Sequence, residues 1–293
     1  MAKPFLKWAG GKRQLINEIQ QRLPLRLQEE KFTFVEPFVG SGAVLFWVLQ
    51  NFPLLEKAVI NDVNEDLCNC YEIIKADVEN LMLILEKWQE DYHQLLGNDE
   101  KAKAYFYEKR RQFNARDSDK ITQAALFIFL NKTCFNGLFR VNRKNEFNVP
   151  IGRYKNPIIC DRDNLMNVSG LLQRVTILNG DYTETLEYTD GKAFFYLDPP
   201  YKPLSNTSNF NSYANANFDD AEQERLKEFC DLLDKKGHDW MLSNSDMKNI
   251  EPENDFFDKL YDGYTIKRVK ANRRINADPI KRGSLTELLI SNF

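Results

Sequence analysis

Residues 32–62, FTFVEPFVGSGAVLFWVLQNFPLLEKAVIND, decide the fold of this chain. The segment opens with an apolar run over 32–36 that predicts a buried strand ending in an acid. Glycines follow, and the apolar residues of 43–50 then predict a helix. Residues 57–62 predict a second strand, which also ends in an acid. A strand, a glycine turn, a helix and a strand in this order predict the opening of a doubly wound α/β sheet.

The rest of the chain continues this pattern around a helical segment. Residues 64–130 predict helices, because apolar side chains recur at helical spacing and no convincing strand interrupts them. From 131 to 160 the composition shifts to Asn, Gly, Arg and aromatic residues, with a hairpin turn predicted across 143–146. Further strands, of which the last two form a closing hairpin, are predicted at 175–178, 193–197, 240–243, 264–270 and 285–291. We therefore predict a mixed sheet with helices on both faces and a mostly helical insertion at about 66–165.

Positive charge is concentrated in three segments, although the net charge of the chain is −3 and its pI is 5.7. Residues 1–13 carry +4, residues 131–156 carry +5 and residues 264–283 carry +6, so the remainder carries −18. One such segment alone would be read as a solvated loop. Three of them, with aromatic and Asn residues interleaved, predict a surface that binds a polyanion such as nucleic acid.

The cysteines, the histidines and the hydropathy argue against several classes of protein. The five cysteines are an odd number without a C-x-x-C pair, so we predict reduced thiols in a cytosol rather than disulfides or a zinc site. Only two histidines are available for metal or triad chemistry. The apolar run at 124–130 is too short to span a bilayer, and the N-terminus lacks the apolar segment of a signal peptide. We therefore expect neither a metal nor a membrane.

The strongest chemical motif is Asp198-Pro-Pro-Tyr201, directly after the predicted strand 193–197. Consecutive prolines end the strand and hold the backbone rigid, so a carboxylate, a proline carbonyl and an aromatic ring stand in fixed relation. An amine conjugated to an aromatic ring is a poor nucleophile, because its lone pair is delocalised into the ring. Asp198 and the Pro199 carbonyl could accept both N–H groups and localise that lone pair, while Tyr201 stacks on the ring. A plain strand-end turn is the alternative reading.

The glycine turn after the first strand predicts a nucleotide-containing cofactor. Gly40 and Gly42 allow a ligand to approach the backbone closely. Asp62, 20 residues beyond Gly42, is placed to bind ribose hydroxyls, and a nicotinamide cofactor would use these features equally well. However, Leu45 stands where the dinucleotide fingerprint has Gly or Ala, and the Asp198–Tyr201 motif favours S-adenosylmethionine.

Six motifs follow one another from residue 5 to beyond residue 201. They are Phe5–Lys12, Glu36–Gly42, Asn61-Asp62, Phe135–Arg140, Phe147–Tyr154 and Asp198–Tyr201. In sequence and in order they resemble the Dam family, the N6-adenine DNA methyltransferases of the alpha motif order, across nearly the whole chain. The resemblance implies the Rossmann-like α/β fold of S-adenosylmethionine-dependent methyltransferases. It also implies methyl transfer to the N6 of adenine in double-stranded DNA.

The resemblance implies a cofactor pocket beside a catalytic loop. Trp8 and Lys12 would hold S-adenosylmethionine from an N-terminal arm, with Asp62 on the ribose and Asp198 near the methionine end. The other residues that the resemblance assigns to this pocket are Glu36, Phe38, Gly40 and Asp181. The catalytic loop would consist of Asp198, Pro199, Pro200 and Tyr201, with no metal.

The implied DNA target is GATC, with the adenine flipped out of the duplex into the Asp198–Tyr201 pocket. Arg140 would read a guanine edge, and Lys7 would contact another guanine. Phe135 would wedge into the base stack, at a position where better-known members of the family carry Tyr. The remaining DNA contacts are implied for Asn136 and, against thymine methyl groups, for Leu138 and Pro150.

These roles divide the chain into two predicted domains. Residues 1–65 and 166–293 would form the catalytic, S-adenosylmethionine-binding domain, and residues 66–165 the DNA target-recognition domain. The polar stretch 205–213 is predicted to be either a lid ordered by DNA or a plain surface loop. The seven basic residues of 264–283 are predicted to follow the phosphate backbone.

Three other functions stay open at this point. The first is an amino methyltransferase that acts on RNA or on protein glutamine. The second is a non-catalytic DNA-binding module, against which the intact Asp198 argues, and the third is a nicotinamide dehydrogenase. For the favoured function we expect a monomer in the cytoplasm, acting on bacterial nucleoid or phage DNA, with or without a cognate restriction endonuclease.

Overall fold

The computed structural model describes residues 1–8, 10–189, 191–201, 218–272 and 284–293, and its centre is a seven-stranded mixed sheet. The strands are β1 Phe32–Glu36, β2 Leu55–Asn61, β3 Val175–Leu178, β4 Ala193–Leu197, β5 Asp239–Ser245, β6 Thr265–Asn272 and β7 Ser284–Ser291. They lie in the order β3-β2-β1-β4-β5-β7-β6. β1 to β5 are parallel, whereas β7 is antiparallel to both β5 and β6. The mixed sheet and its predicted strands are confirmed.

Helices pack on the sheet, and five of them lie in the segment between β2 and β3. They are α1 Ile16–Gln20, α2 Ala43–Asn51, α3 Glu65–Ala76, α4 Val78–Leu95, α5 Asp99–Ala115, α6 Lys120–Thr133, α7 Arg162–Leu172, α8 Asp220–Lys235 and α9 Phe256–Leu260. The helical segment predicted at 64–130 is thus divided into four helices. The side chains of Asn64, Asn98 and Asp119 cap α3, α5 and α6 by accepting a backbone N–H three residues on.

Two apolar clusters cover the two faces of the sheet. Successive strand residues point to opposite faces, so Phe34 belongs to one cluster and Val35 to the other. The first cluster continues from the sheet into α2 to α7, and the second includes residues of α8 and α9. Helices on both faces are therefore confirmed. The domain boundary predicted between 165 and 166 falls inside α7.

The segment between α6 and α7 has little regular structure. Val141 bridges Phe147 and Cys134 bridges Ile151, both antiparallel. The predicted turn at 143–146 is present, because the Asn142 N–H donates to the Glu146 carbonyl at 2.9 Å. Its arms are joined by isolated bridges instead of continuous strands. Phe147 is buried in the first apolar cluster.

The carboxyl ends of the central parallel strands meet at one edge of the sheet. Glu36 ends β1, and Asp62 and Asp198 directly follow β2 and β4. The strand order reverses between β1 and β4, which is where open α/β sheets bind their ligands. Within the described ranges, no helix has the length and apolar character needed to cross a membrane.

Two sequence predictions lie partly or wholly outside the described residues. The stretch 205–213 is one of them. The other concerns four of the seven basic residues in 264–283, namely Arg273, Arg274, Lys281 and Arg282.

Candidate active site

Asp198 lies where β4 ends and is held by two neighbouring side chains. Lys12 Nζ is 2.9 Å from Asp198 Oδ1, and the Ser243 hydroxyl of β5 donates to the same oxygen at 2.9 Å. Within the described part of the chain, no hydrogen bond to the second oxygen, Oδ2, occurs. Burial raises the pKa of Asp198, while the Lys12 ammonium and the Ser243 hydroxyl oppose that increase. The site therefore presents an oriented carboxylate with an acceptor oxygen left for a ligand.

A row of polar groups on neighbouring strands orients this carboxylate. The buried Tyr196 hydroxyl of β4 donates to Ser243 Oγ at 3.1 Å, and Ser243 in turn donates to Asp198. Our sequence analysis assigned no role to Tyr196, because a tyrosine in an apolar strand is indistinguishable from a core residue. Successive hydrogen bonds in a row strengthen one another. The Tyr196 and Ser243 hydroxyls therefore hold the Asp198 side chain in one direction.

Tyr201, the last residue of the catalytic motif, is held at both its ring and its hydroxyl. Lys12 Nζ lies 4.2 Å from the ring centre, a cation–π distance. The hydroxyl donates to Glu287 Oε2 at 2.8 Å, and Glu287 is buried on β7. Glu287 could not be identified from the sequence, because it reaches the site only through the long-range pairing of β7 with β5.

The Tyr201–Glu287 contact predicts a measurable coupling between the two side chains. We expect Tyr201→Phe and Glu287→Met each to destabilise the fold, because each breaks the hydrogen bond that joins the two side chains. The free energy of unfolding of the double variant should fall by about 1.5–3 kcal/mol less than the sum of the two single decreases. Such a difference is typical of a hydrogen bond to a charged group. Urea unfolding of the four proteins measures this difference. Additive losses would show that the contact contributes nothing.

A second part of the site surrounds the glycine turn after β1. Asp62 Oδ2 accepts the Gly40 N–H at 3.1 Å, and Asp62 Oδ1 accepts the Asn64 N–H at 2.9 Å. A Cβ at Gly40, whose φ is 48°, would lie only 3.0 Å from the Trp8 ring. Trp8 also stacks on Phe139 with ring centres 5.7 Å apart. Asp62, Gly40 and Trp8, all predicted for the cofactor pocket, are therefore close together.

Two buried acceptors at this edge lack partners. Glu36 Oε2 and Asn61 Oδ1 have no hydrogen bond within the residues that the structure describes. The Asn61 amide nitrogen, by contrast, donates to the Pro37 and Gly180 carbonyls, each at 3.1 Å. Burial raises the pKa of Glu36 well above its usual value, and the charge of Asp198 raises it further. Since buried acceptors are rarely left unpaired, both atoms point to a ligand that carries donors.

Phe38 and Asp181, the other predicted pocket residues, lie beside Tyr182. The Phe38 and Tyr182 rings are 5.1 Å apart. Asp181 follows β3, accepts the Thr183 N–H at 3.0 Å and pairs with both terminal nitrogens of Arg225 at 2.8 and 2.9 Å. Although burial raises the pKa of Asp181, its hydrogen bonds to Arg225 and Thr183 lower it overall. The Asp181 carboxylate is thus already engaged, unlike that of Glu36.

The residues predicted to contact DNA lie on the N-terminal arm and on the segment after α6. The Phe135 N–H donates to the Pro150 carbonyl at 2.9 Å, which brings these two residues together. Phe135 is 51% exposed. Asn136 is also exposed and has a φ of 56°, whereas Leu138 is half-buried against the core. Phe135 and Asn136 therefore project from the surface.

Lys7 lies against the same segment. Its Nζ donates to the Tyr154 hydroxyl at 3.1 Å and lies 4.2 Å from the centre of that ring. A Cβ at Gly137, whose φ is 64°, would overlap the Lys7 side chain. Tyr154 ends one of the six motifs quoted above, but the sequence analysis gave it no role of its own.

Arg140 is exposed, and one edge of its guanidinium is held in place. Its Nε donates to Asn148 Oδ1 at 2.7 Å, and the Asn148 N–H donates to the Arg140 carbonyl at 3.0 Å. Among the described residues, no hydrogen bond to its two terminal nitrogens occurs, so the bidentate edge is available to a ligand. Arg143 and Lys144 are exposed on the neighbouring turn.

Lys132, on α6, predicts a pH-dependent stability. Burial lowers its pKa to about 8, with Asp161 opposing and Lys7 and Lys3 reinforcing the decrease. Between pH 8 and about 10.5 the unfolded chain holds a proton that the folded chain has released, so this residue makes stability rise with pH. Because of Lys132, the free energy of unfolding should rise by up to about 3 kcal/mol over that pH range, and Lys132→Met should remove this rise. Chemical unfolding of both proteins at several pH values measures the difference, and a constant difference would contradict the assignment.

Comparison with known proteins identifies the family of this chain. Residues 8–275 match the family described as D12 class N6 adenine-specific DNA methyltransferase. The chain is 50% identical to the type II methyltransferase M.MjaIII of Methanocaldococcus jannaschii, with 99% of each chain covered. It is 38% identical to M1.LlaDCHI of Lactococcus lactis (99% and 95% covered) and 37% identical to the DNA adenine methylase of Haemophilus influenzae (98% and 92% covered). The chain therefore belongs to the D12 class of N6 adenine-specific DNA methyltransferases.

Proposed function

We propose that this enzyme transfers the methyl group of S-adenosylmethionine to the adenine N6 of GATC in duplex DNA. The base would be flipped out of the helix, and the transfer would be direct and in line. The observation that carries this proposal is the Asp198 carboxylate, held by Lys12 and Ser243 beside the ring of Tyr201. An acceptor next to an aromatic face suits an exocyclic amine on a planar base.

The residues around the glycine turn fit the proposed cofactor. The unpartnered acceptors of Glu36 and Asn61 would receive its donors, and the carboxylate of Asp62 would receive ribose hydroxyls. A bound cation would favour the ionised form of Glu36, whose pKa is otherwise raised by burial and by the charge of Asp198. The proposed cofactor-binding residues are Trp8, Lys12, Glu36, Phe38, Gly40, Asp62, Asp181 and Asp198. When bound, S-adenosylmethionine supplies a methyl group on a positively charged sulfur.

The catalytic loop acts by positioning. The Asp198 carboxylate and the Pro199 carbonyl accept the two N6–H groups and localise the nitrogen lone pair towards the methyl group. Pro200 keeps the loop rigid, and Tyr201 stacks on the base while Glu287 holds its hydroxyl. This arrangement requires no covalent bond between the enzyme and either substrate.

The exposed residues on the arm and after α6 support sequence-specific contact with duplex DNA. In the proposed complex, Arg140 and Lys7 each contact a guanine, and Phe135 enters the base stack. Asn136, Leu138 and Pro150 complete the contacts. Residues 66–165 would form the target-recognition domain, and 1–65 together with 166–293 the catalytic domain. The H. influenzae relative is named a DNA adenine methylase, which supports an adenine target.

The cellular setting follows from the same proposal. The five cysteines are buried and unpaired, which agrees with a reducing cytoplasm, and we propose a monomer that acts there on bacterial nucleoid or phage DNA. The M. jannaschii and L. lactis relatives are named type II methyltransferases. We propose on this basis that a cognate restriction endonuclease accompanies the enzyme.

Labelled methyl transfer tests the proposal directly. The wild-type protein is incubated with labelled S-adenosylmethionine and either a GATC duplex or a duplex in which the same four base pairs are scrambled. We expect N6-methyladenine in the GATC duplex alone. Equal labelling of both duplexes would reject the GATC assignment, and labelling of neither would reject the proposed donor and substrate.

A further inference from the structure

Side-chain amides on three helices hold the N-terminal arm, residues 1–8. Each amide accepts the backbone N–H and donates to the carbonyl of the same arm residue, as a neighbouring β-strand would. The three pairs are Gln50 of α2 with Ala2, Asn164 of α7 with Lys3, and Asn131 of α6 with Lys7. All six hydrogen bonds are 2.8–3.0 Å long. We call each pair an amide clasp.

The Asn131 clasp differs from the other two because its third hydrogen bond reaches a separate segment of the chain, whereas the third bond of Gln50 stays within α2, to the Phe46 carbonyl at 2.7 Å. Its amide nitrogen donates to the Gly137 carbonyl at 2.9 Å as well as to the Lys7 carbonyl at 2.8 Å. Asn131 is 1% exposed, so water cannot replace these bonds without a rearrangement. A single buried amide therefore joins the arm to the segment that carries the proposed DNA contacts.

Consecutive arm residues point to the two halves of the site. Lys7 contacts Tyr154 and packs against Gly137, on the proposed DNA surface. Trp8 lies beside Gly40 and stacks on Phe139, at the proposed cofactor pocket. Any ligand that fixes Trp8 also restricts the backbone of Lys7, which Asn131 connects to Gly137.

We propose that Asn131 is a positioning residue that couples cofactor binding to DNA binding. The inference rests on the proposed function and extends it. A bound cofactor restricts the motion of the arm. Through the Asn131 clasp it also restricts Gly137, so the segment that follows α6 is held in the conformation that binds DNA. By linkage, DNA must strengthen cofactor binding by the same factor.

The experiment measures this factor with S-adenosylhomocysteine, which cannot donate a methyl group. The dissociation constant of a GATC duplex is determined with and without this ligand, and that of the ligand with and without the duplex. We expect wild type to show about tenfold coupling in both directions and Asn131→Asp less than about twofold. Asn164→Asp is the matched control, since it makes the same chemical change in a clasp that lacks the third bond. Its coupling should equal that of wild type.

Three results would overturn the coupling. The first is that wild type binds each ligand with the same affinity whether or not the other is present. The second is that Asn131→Asp keeps the wild-type coupling. The third is that Asn164→Asp loses as much coupling as Asn131→Asp. A wild-type protein that binds the duplex but not S-adenosylhomocysteine would instead refute the proposed cofactor, and the coupling with it.

Amide exchange in the wild-type protein tests the coupling even if Asn131→Asp does not fold. Adding S-adenosylhomocysteine should slow exchange at residues 5–8 and at 135–138 together, while residues 101–113 of α5 serve as an internal reference. Slower exchange at 5–8 alone would overturn the proposal.

Discussion

Asp198→Asn is expected to lower the rate of methyl transfer by about 10³-fold. The amide keeps the shape of the side chain, but it loses the charge that pairs with Lys12 and is a weaker acceptor for an N6–H donor. The loss should appear in the single-turnover rate at saturating DNA and cofactor, because the carboxylate acts on the reacting amine. Rapid-quench measurement with labelled S-adenosylmethionine gives this rate directly.

Asp239→Asn is the matched control for this experiment. Asp239 begins β5, at the opposite end of the strand from Ser243 to Ser245, and pairs with Arg26. Its side chain is 22% exposed, against 18% for Asp198, so the two substitutions break comparable ion pairs. We expect Asp239→Asn to keep the single-turnover rate within about twofold, since Asp239 pairs with Arg26 at the end of β5 that lies away from the site. Similar losses in both variants would mean that Asp198 has only a structural role.

Arg140→Ala is expected to reduce base discrimination about 10- to 100-fold. The two substrates compared are a GATC duplex and a duplex in which one guanine is replaced. The physical reason is the loss of a bidentate contact, which contributes about 1–3 kcal/mol of discrimination against the wrong base. Values of kcat/KM on the two duplexes give the ratio for wild type and variant. An unchanged ratio would show that Arg140 does not read a base.

Arg143→Ala is the control for Arg140, since the two arginines lie three residues apart and are both exposed. Arg140 is oriented by Asn148, whereas Arg143 lies on the turn. We expect Arg143→Ala to weaken binding to both duplexes equally and to reduce the salt dependence by about one phosphate contact. A change in base discrimination would show that Arg143 contacts a base.

The sequence predicted those parts of the fold that depend on local patterns. The apolar run of β1, the glycines after it and the helix that became α2 carry their periodicity within a few residues. The motif after β4 was also recognisable, because its chemistry lies in consecutive residues. The site roles drawn from the Dam resemblance stay predictions that the experiments above test.

Contacts between distant segments could not be predicted in this way. Tyr201 and Glu287 are 86 residues apart, and Lys7 and Asn131 are 124 residues apart. A single glutamate or asparagine has no periodicity, and these two face their partners only because β7 lies next to β5 and α6 packs beside the arm. The Arg225 that engages Asp181 was missed for the same reason.

The amide clasps also determine how the arm can open during turnover. Because no strand in the described part of the chain pairs with residues 1–8, detachment of one clasp breaks two or three hydrogen bonds, each worth about 0.5–1.5 kcal/mol net. Such an opening also exposes the buried side chains of Phe5 and Leu6, yet as a local event it lies below global unfolding in free energy. Trp8 borders Gly40 at the proposed cofactor site, so opening of the arm uncovers this side of the site while the sheet stays intact.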